Sequence, residues 1–339
     1  MSRLIQFTEF GPPEVLTCID RPTPVAGPGE VLVRVEAIGV SWYDVLWRQN
    51  LAPEQAIPPA GLGCELAGVV TALGEGVADL AIGDSVASFL GHDINRYPAY
   101  GDELVYPATS LVRYPDNVLS PAEAAVHYNP LLTIYTALMH QARLQPSEWV
   151  LITDASRCCG PASIQLAKAL GARVIASTHD AADRDYLREL GAERVIAAEE
   201  EDLVSRIASI TDGVGVHVAL DALGGPQLAL LGEAMAPRGR LLLYGLNGGN
   251  QTPLPACAAF KKKFKLYIHC VQDFTGQPEM GLEADCAAVR EALQHIDQLT
   301  RDRLLKAQIK QVFPFEQFVE AHRCMEQCPT RGRVVLSVD

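Results

Sequence analysis

The chain has 339 residues, 48% of them hydrophobic, and its 28 basic and 41 acidic residues give a net charge of −13. This length exceeds one ordinary core and predicts two domains, while the acidic balance argues against a nucleic-acid-binding surface. No run of about 18 apolar residues and no signal-peptide core occur, so we expect no membrane segment and a cytoplasmic location. The nine scattered cysteines, which lack paired CxxC spacing, predict reduced thiols.

The first third of the chain is predicted to be β-rich. Val31, Val33 and Val35 alternate with more polar neighbours, which is the period of a half-buried strand. Glycine turns between valine-rich runs over residues 61–86 are typical of a small antiparallel barrel. Ser120 is a predicted N-cap with Glu123 as its capping-box partner, and from there the pattern becomes helical. We predict a β-rich domain over 1–123, completed by 272–339.

Residues 124–271 alternate between apolar strands and helical segments, a pattern that predicts a doubly wound parallel sheet and hence an α/β fold class. The predicted strands lie at 150–152, 174–177, 194–196, 216–220, 240–244 and 266–271, and the predicted helices lie at 164–170, 183–190, 203–210 and 226–235.

The first strand–turn–helix of this region has the layout of a dinucleotide-binding unit but few of its glycines. Ala155, Arg157 and Cys158 stand where glycine or another small residue is expected, and only Gly160 remains. Pro161 suits the first helical position, so the helix N-terminus still directs N–H groups at the turn. The unit is either an altered nucleotide site or a βαβ unit that has lost its ligand. The predicted cofactor-binding residues here are Ser156, Arg157, Cys158, Cys159 and Gly160.

Arg157 has two possible arrangements, which the sequence leaves open. The guanidinium can lie over the pyrophosphate as a compensating cation, or it can fill the groove and pair with Asp154.

The end of the second strand indicates the cofactor. No acidic residue occurs in Ser177–Thr178–His179, and this favours the 2′-phosphate of NADP over the free ribose of NAD. His179 and Arg184 are the available basic partners, although Asp180 and Asp183 oppose a phosphate. The prediction is therefore NADPH, with NADH less favoured.

Several stretches together resemble the zinc-independent, quinone oxidoreductase-like branch of the medium-chain dehydrogenase/reductase superfamily, over nearly the whole chain. They are residues 39–48, 61–70, 77–86, 132–135, 164–172, 221–225, 243–245 and 332–335. The resemblance implies a GroES-like catalytic domain, a Rossmann domain, a cleft between them, NADPH as cofactor and usually a homodimer. It also implies that Thr133, Tyr244, Gly245 and Arg333 belong to the cofactor-binding residues.

Zinc is not expected. Ser41, Cys64 and Asn129 stand where zinc-dependent relatives carry Cys, His and Cys, and these three side chains do not make a tetrahedral zinc site. Without a Lewis acid, hydride addition to an activated C=C bond is favoured over alcohol oxidation.

Four residues are candidates for catalysis: Tyr43, Ser41, His127 and Cys64. Tyr43 either donates a proton or a hydrogen bond to the substrate, or only packs. Ser41 is placed near the nicotinamide by the resemblance. His127 is either an acid or a structural hydrogen-bonding residue, and Cys64 is either a nucleophile or a small buried hydrophobe. The loop over 92–100 is a candidate substrate contact, and the aromatic residues nearby suggest a flat or apolar small-molecule substrate.

Two functions remain open. The first is an NADPH-dependent reductase of an enone, quinone or enoyl thioester, in a possible biosynthetic role. The second is a relative with a degraded cofactor site, which catalyses a redox-neutral cyclisation or isomerisation or serves as a binding protein.

Overall fold

The structure is a computed structural model that describes residues 1–327 and 329–338. Two compact units are present: the first comprises Met1–Leu132 and Gln272–Asp339, and the second comprises Thr133–Val271. The boundary between the first unit and the second thus lies after Leu132, whereas we predicted it from the sequence after residue 123. The reason is that the helix at Pro121–Ala125 packs against strands of the first unit.

The strands are β1 (Ser2–Phe7), β2 (Leu16–Arg21), β3 (Glu30–Val40), β4 (Ala60–Gly61), β5 (Leu66–Leu73), β6 (Ser85–Ser88), β7 (Glu103–Pro107), β8 (Leu111–Arg113), β9 (Trp149–Ile152), β10 (Arg173–Thr178), β11 (Arg194–Ala197), β12 (Val216–Asp221), β13 (Met235–Leu243), β14 (Lys265–Ile268), β15 (Ile309–Pro314) and β16 (Arg333–Ser337).

The α-helices are α1 (Trp42–Arg48), α2 (Pro121–Ala125), α3 (Tyr128–Tyr135), α4 (Gly160–Ala169), α5 (Arg184–Leu190), α6 (Leu203–Ile210), α7 (Leu228–Ala234), α8 (Ala256–Lys262), α9 (Gln272–Thr275), α10 (Cys286–Arg301) and α11 (Phe318–Gln327). A π-helical segment, Thr136–Gln141, continues from α3. As predicted, Ser120 and Glu123 form a capping box at the start of α2.

The first unit is built on β3, its longest strand. The sheet runs in the order β15-β16-β3-β5-β6-β8, with β7 also paired to β3, and a second sheet has the order β2-β1-β4. Val31, Val33 and Val35 are all buried, as their alternation predicts, and they join the core of this unit. The C-terminal β16 pairs antiparallel with β3, so the end of the chain completes the first unit.

The second unit is a six-stranded parallel sheet in the order β11-β10-β9-β12-β13-β14. Numbered from β9, this order is 3-2-1-4-5-6, which is the order of dinucleotide-binding sheets. All four residues of β9 are buried, because helices cover both faces of such a sheet. The order in which the strands are added reverses between β9 and β12, and ligands bind at such a switch point. The predicted α/β fold, with a GroES-like unit and a Rossmann-like unit, is confirmed.

Two strand boundaries in the second unit differ from the prediction. β13 begins at Met235 rather than near residue 240, because Met235 already pairs with Val216 across an irregular register. β14 ends at Ile268 rather than at 271, since the next residue, His269, turns its side chain towards Thr133 and Gln141.

Among the described residues, no helix combines the length and the apolar character needed to cross a bilayer. No disulfide joins the cysteines in that part of the chain, while Cys328 lies outside it.

Candidate active site

The turn between β9 and α4 keeps a backbone that glycine usually provides. Asp154 has φ 49° and Cys158 has φ 45°, both in the left-handed region that side chains disfavour. Gly160 lies so close to the turn that a Cβ there would stand 2.3 Å from the carbonyl oxygen of Ala155. The tight turn of a dinucleotide unit is therefore present, although two of its left-handed positions carry side chains.

Arg157 forms an ion pair with Asp154 within this turn. Its Nε lies 3.6 Å from Asp154 Oδ1, and Asn247 Nδ2 donates to Asp154 Oδ2 at 3.4 Å. Burial raises the pKa of Asp154, while the Arg157 charge and the Asn247 hydrogen bond oppose this rise. Of the two arrangements that the sequence left open, this is the paired one. Since the Arg157 side chain is 40% exposed, the ion pair is weak, and Arg157 can exchange Asp154 for another anion.

The end of β10 is tied to the same turn and is surrounded by acidic residues. Ala155 N donates to Ser177 O at 2.9 Å, and Ser156 Oγ lies 3.4 Å from Thr178 Oγ1. Thr178 in turn donates to the buried Asp183 at 3.1 Å. A carboxylate therefore contacts Thr178, one of the predicted cofactor-binding residues.

The two basic residues that we predicted for a 2′-phosphate already face carboxylates. His179 Nε2 lies 3.0 Å from Glu199, on the surface. Arg184 bridges Glu200 and Glu201 at 2.7 Å each. Either residue must therefore exchange a carboxylate for a phosphate in order to bind the phosphate.

The switch point is held by Asp221, which our sequence analysis did not select, and by the predicted cofactor residue Gly245. Asp221, fully buried at the end of β12, accepts hydrogen bonds from Thr153 Oγ1 at 2.7 Å and from Gly224 N at 3.0 Å. A Cβ on Gly245 would lie 2.5 Å from Ala222 O, so the close contact between these two backbone segments also requires glycine. The signal available in the sequence was an aspartate that ends an apolar strand and precedes a Gly-Gly pair.

The remaining predicted cofactor residues divide between the two units. Tyr244 follows β13, and burial of its hydroxyl near Cys158 and Cys159 raises its pKa. Thr133, in α3, accepts a hydrogen bond from His269 Nε2 at 2.8 Å through its carbonyl. Arg333 instead belongs to the first unit, where it is buried against Glu65. With the exception of Arg333, the predicted cofactor residues thus belong to the second unit.

In the first unit, Tyr43 and Ser41 lie at the start of α1. The Tyr43 hydroxyl donates to the Glu54 carboxylate. Ser41 is the N-cap of α1 and forms a capping box with Asp44. Asp44 is buried and accepts a hydrogen bond from the Tyr100 hydroxyl at 3.0 Å. Burial raises the pKa of Asp44 to about 7.

Two of the three positions that carry zinc ligands in other relatives, Cys64 and Asn129, belong here to a hydrogen-bonded group. Asn129 Nδ2 donates to Glu65 Oε1 at 2.8 Å and lies 3.9 Å from Cys64 Sγ. Glu65 also pairs with Arg333. Burial raises the pKa of the Cys64 thiol well above its usual range, so the thiolate is disfavoured. In the part of the chain that the structure describes, no three His, Cys, Asp or Glu side chains group as metal ligands.

His127 has the environment of a structural residue. The ring is 2% exposed, and Nε2 lies 2.8 Å from Thr300 Oγ1. Burial lowers the pKa of His127 to about 4, which leaves the ring neutral at physiological pH.

Tyr43 borders a cavity of about 310 Å³ whose described lining belongs entirely to the first unit. The lining residues are Tyr43, Trp47, Glu54, Ile57, Leu90, His92, Asp93, Ile94, Asn95, Gln272, Gly276, Gln277 and Pro278. Of the four predicted catalytic residues, only Tyr43 is among them.

Comparisons with known proteins agree with this architecture. The sequence matches the alcohol dehydrogenase GroES-like domain over residues 27–116 and the zinc-binding dehydrogenase family over 158–281. It is 31% identical over 337 residues to a quinone oxidoreductase of Pseudomonas aeruginosa, and the match covers 99% of each chain. The chain belongs to the medium-chain dehydrogenase/reductase superfamily, in its quinone oxidoreductase-like branch.

Solved structures support the same branch. The quinone oxidoreductase of Escherichia coli in complex with NADPH superimposes with a TM-score of 0.87, at 27% identity and with 99% of each chain covered. The enoyl reductase CurK gives a TM-score of 0.86 at 25% identity, with 100% of this chain and 99% of that chain covered. As a member of the quinone oxidoreductase-like branch, the chain is an NAD(P)H-dependent oxidoreductase. The loss of zinc-ligand types at Ser41 and Asn129 fits this branch.

Proposed function

We propose that the chain is an NADPH-dependent reductase that adds hydride to an activated C=C bond of an enone, quinone or enoyl thioester without zinc. The observation that carries the proposal is the turn after β9. It retains left-handed backbone at Asp154 and Cys158 and the close approach at Gly160, at the switch point of a 3-2-1-4-5-6 sheet. This geometry fits a pyrophosphate at the N-terminus of α4.

The bound nicotinamide would supply the hydride, and the residues of the chain would supply hydrogen bonds and a proton. Hydride addition at the β-carbon of an enone or enoyl thioester leaves negative charge on the carbonyl oxygen, and a proton from Tyr43 or water must then reach the α-carbon. With a quinone, the net change is one hydride and one proton: both oxygens take up protons, and the ring carbon that received the hydride releases one. Tyr43 is the proposed donor to the substrate oxygen. Because its single hydroxyl proton points to Glu54, Tyr43 must exchange this carboxylate for the substrate oxygen.

Ser41, Cys64 and His127 take supporting roles in this proposal. Ser41 fixes the start of α1 and therefore the position of Tyr43. Cys64 and His127 lie in buried, hydrogen-bonded surroundings, which suit packing better than proton transfer.

The proposal also specifies NADPH rather than NADH as the preferred cofactor. It is supported by the absence of an acid in Ser177–Thr178–His179 and by the likeness to a reductase solved with NADPH. Because His179 and Arg184 are paired with glutamates and Asp183 lies close by, we expect a modest preference over NADH.

A titration of the purified protein with NADPH and NADH, followed by nicotinamide fluorescence, tests the proposal before any substrate is tried. The proposal expects saturable binding of both, tighter for NADPH, and NADPH oxidation when enones, quinones or enoyl thioesters are added. Tight binding without turnover on any of the three classes would refute the substrate class.

The pairing of Arg157 with Asp154 favours a second candidate, in which the groove is closed to dinucleotides. The chain would then catalyse a redox-neutral cyclisation or isomerisation, or act as a binding protein. Failure of both NADPH and NADH to bind would select this candidate.

We also propose a homodimer formed through β14, the open edge strand of the second sheet. Apolar side chains are exposed on β14 and on the preceding helix α8, with Ile268 at 69% and Phe260 at 74%. Light scattering should give a dimer mass that Ile268→Asp lowers to that of a monomer, and a wild-type monomer would contradict the proposal. A cytoplasmic location, a small-molecule substrate and a biosynthetic role stay predictions.

A further inference from the structure

The cavity beside Tyr43 contains polar groups that hydride transfer does not use. It is formed by three segments of the first unit: α1 and the residues after it, the loop between β6 and β7, and the residues around α9. Its apolar walls include Trp47, Leu90 and Ile94. The indole N–H of Trp47 donates to Gly61 O at 3.1 Å, which holds the ring in place. These walls suit a flat ring of a ligand.

His92 is the polar residue of this cavity whose hydrogen-bonding capacity is unused. Both ring nitrogens are buried, and neither has a hydrogen-bond partner among the described residues. The ring packs edge-on against Tyr106, with 4.8 Å between centroids, and against Tyr97 at 6.2 Å. Since burial lowers its pKa to about 3, His92 is neutral and offers one N–H donor and one nitrogen acceptor. A buried polar group without a partner is unfavourable. Because both nitrogens have almost no exposed surface, a ligand gains this hydrogen bond only when the His92 ring turns and brings one nitrogen to the cavity.

The charges around the cavity are of one sign. Glu54 and Asp93 contribute carboxylates, and no Lys or Arg occurs among the lining residues that the structure describes. Each carboxylate is held in place, Glu54 by the Tyr43 hydroxyl and Asp93 by Asn95 N at 2.9 Å. A ligand with its own carboxylate would meet like charge there and would find no cation to pair with.

We propose that this cavity selects the substrate by its head group: it binds an uncharged hydroxyl, carbonyl or amide through His92, and it rejects a carboxylate through Glu54. The inference rests on the proposed function, because it takes the bound molecule to be the substrate of the reductase. The substrate class thus narrows to uncharged, ring-bearing enones and quinones with a polar substituent.

The test measures binding with a pair of unreactive probes of the same shape, 2-naphthamide and 2-naphthoate, by calorimetry on the full chain. Wild-type protein should bind the amide at least about tenfold more tightly than the carboxylate. His92→Phe keeps an aromatic ring against Tyr97 and Tyr106 but removes both nitrogens, and it should weaken amide binding by about fivefold or more. Glu54→Gln still accepts from Tyr43, and it should strengthen naphthoate binding by about fivefold.

The exposed Glu75→Gln serves as the charge-matched control and should change neither dissociation constant. Thermal unfolding of each variant verifies folding. Equal affinities for the two probes, no binding of either, or an unchanged amide affinity in folded His92→Phe would overturn the inference.

Parallel assays of NADPH oxidation with simple quinones separate this inference from the proposed function. Selective, His92-dependent binding without any turnover would refute the reductase but keep the head-group selection. Normal turnover without selective binding would refute only the head-group selection.

Discussion

Replacing Arg157 with alanine should weaken NADPH binding by about tenfold. In the structure the Nε of this guanidinium lies 3.6 Å from Asp154 Oδ1, and both residues belong to the turn that we assign to the pyrophosphate. We expect Arg157 to leave this carboxylate for the phosphates when the dinucleotide binds, and thereby to compensate for the missing glycines.

The magnitude follows from two opposing terms. Charge-assisted hydrogen bonds contribute about 1.5–3 kcal/mol each. Breaking the Asp154 pair costs at most about 1 kcal/mol, because a partly exposed ion pair contributes little. With the full cost of the broken pair subtracted, the net loss in the alanine variant is about 0.5–2 kcal/mol, which corresponds to roughly 2- to 30-fold in the dissociation constant.

Calorimetric titration with NADPH at two ionic strengths measures this effect, which should shrink as salt screens the charges. Arg188→Ala is the matched control, since Arg188 forms the same kind of i,i+3 pair with Asp185, at 3.1 Å. It lies in α5, away from the turn, and its replacement should leave the dissociation constant unchanged.

An unchanged or tighter dissociation constant in Arg157→Ala would refute this reasoning. It would mean that Arg157 fills the groove together with Asp154 and competes with the dinucleotide.

Three further predictions concern other parts of the chain. Tyr43→Phe should lower kcat by about 100-fold with little change in KM, whereas an unchanged kcat would leave Tyr43 only its packing against Trp47. Asp183→Asn, which still accepts from Thr178, should tighten NADPH binding by roughly fivefold without affecting NADH, because one negative charge near the phosphate is lost; equal changes for both cofactors would contradict this. The pKa of Asp44 is raised to about 7 from the usual 3.8, so between these pH values the folded chain keeps a proton that the unfolded chain releases. Binding of this proton stabilises the folded chain at low pH, and the stabilisation is lost as the pH rises from about 4 to 7. Asp44→Asn should therefore raise the Tm at pH 8 but not at pH 4, and an equal shift at both values would show that Asp44 does not titrate in this range.

Local pattern predicted the elements of the second unit well. β9, α4 and β10 each combine apolar periodicity with a definite end, such as Gly171 after α4, so their positions follow from near neighbours in the sequence. The start of β13 was placed too late because its first pairing depends on the irregular register with β12.

The candidate site was harder to predict because its contacts join distant segments. Nothing local indicates that Arg333 pairs with Glu65 in the first unit, or that Arg184 is neutralised by Glu200 and Glu201. The buried nitrogens of His92 depend on tyrosines that the fold brings beside it. Hydrogen-bond partners and burial of this kind follow from tertiary packing. The residue type alone therefore does not decide between a structural and a functional role.

The most direct test of the account follows the hydride itself. Purified protein is incubated with NADPH carrying deuterium at C4 of the nicotinamide, in separate 4R and 4S forms, together with 2-cyclohexen-1-one, and the recovered cyclohexanone is analysed by NMR. The account predicts deuterium at the β-carbon from one of the two forms, and a solvent proton at the α-carbon. Consumption of NADPH without deuterium in the ketone, or no reduced ketone from either form, would contradict it.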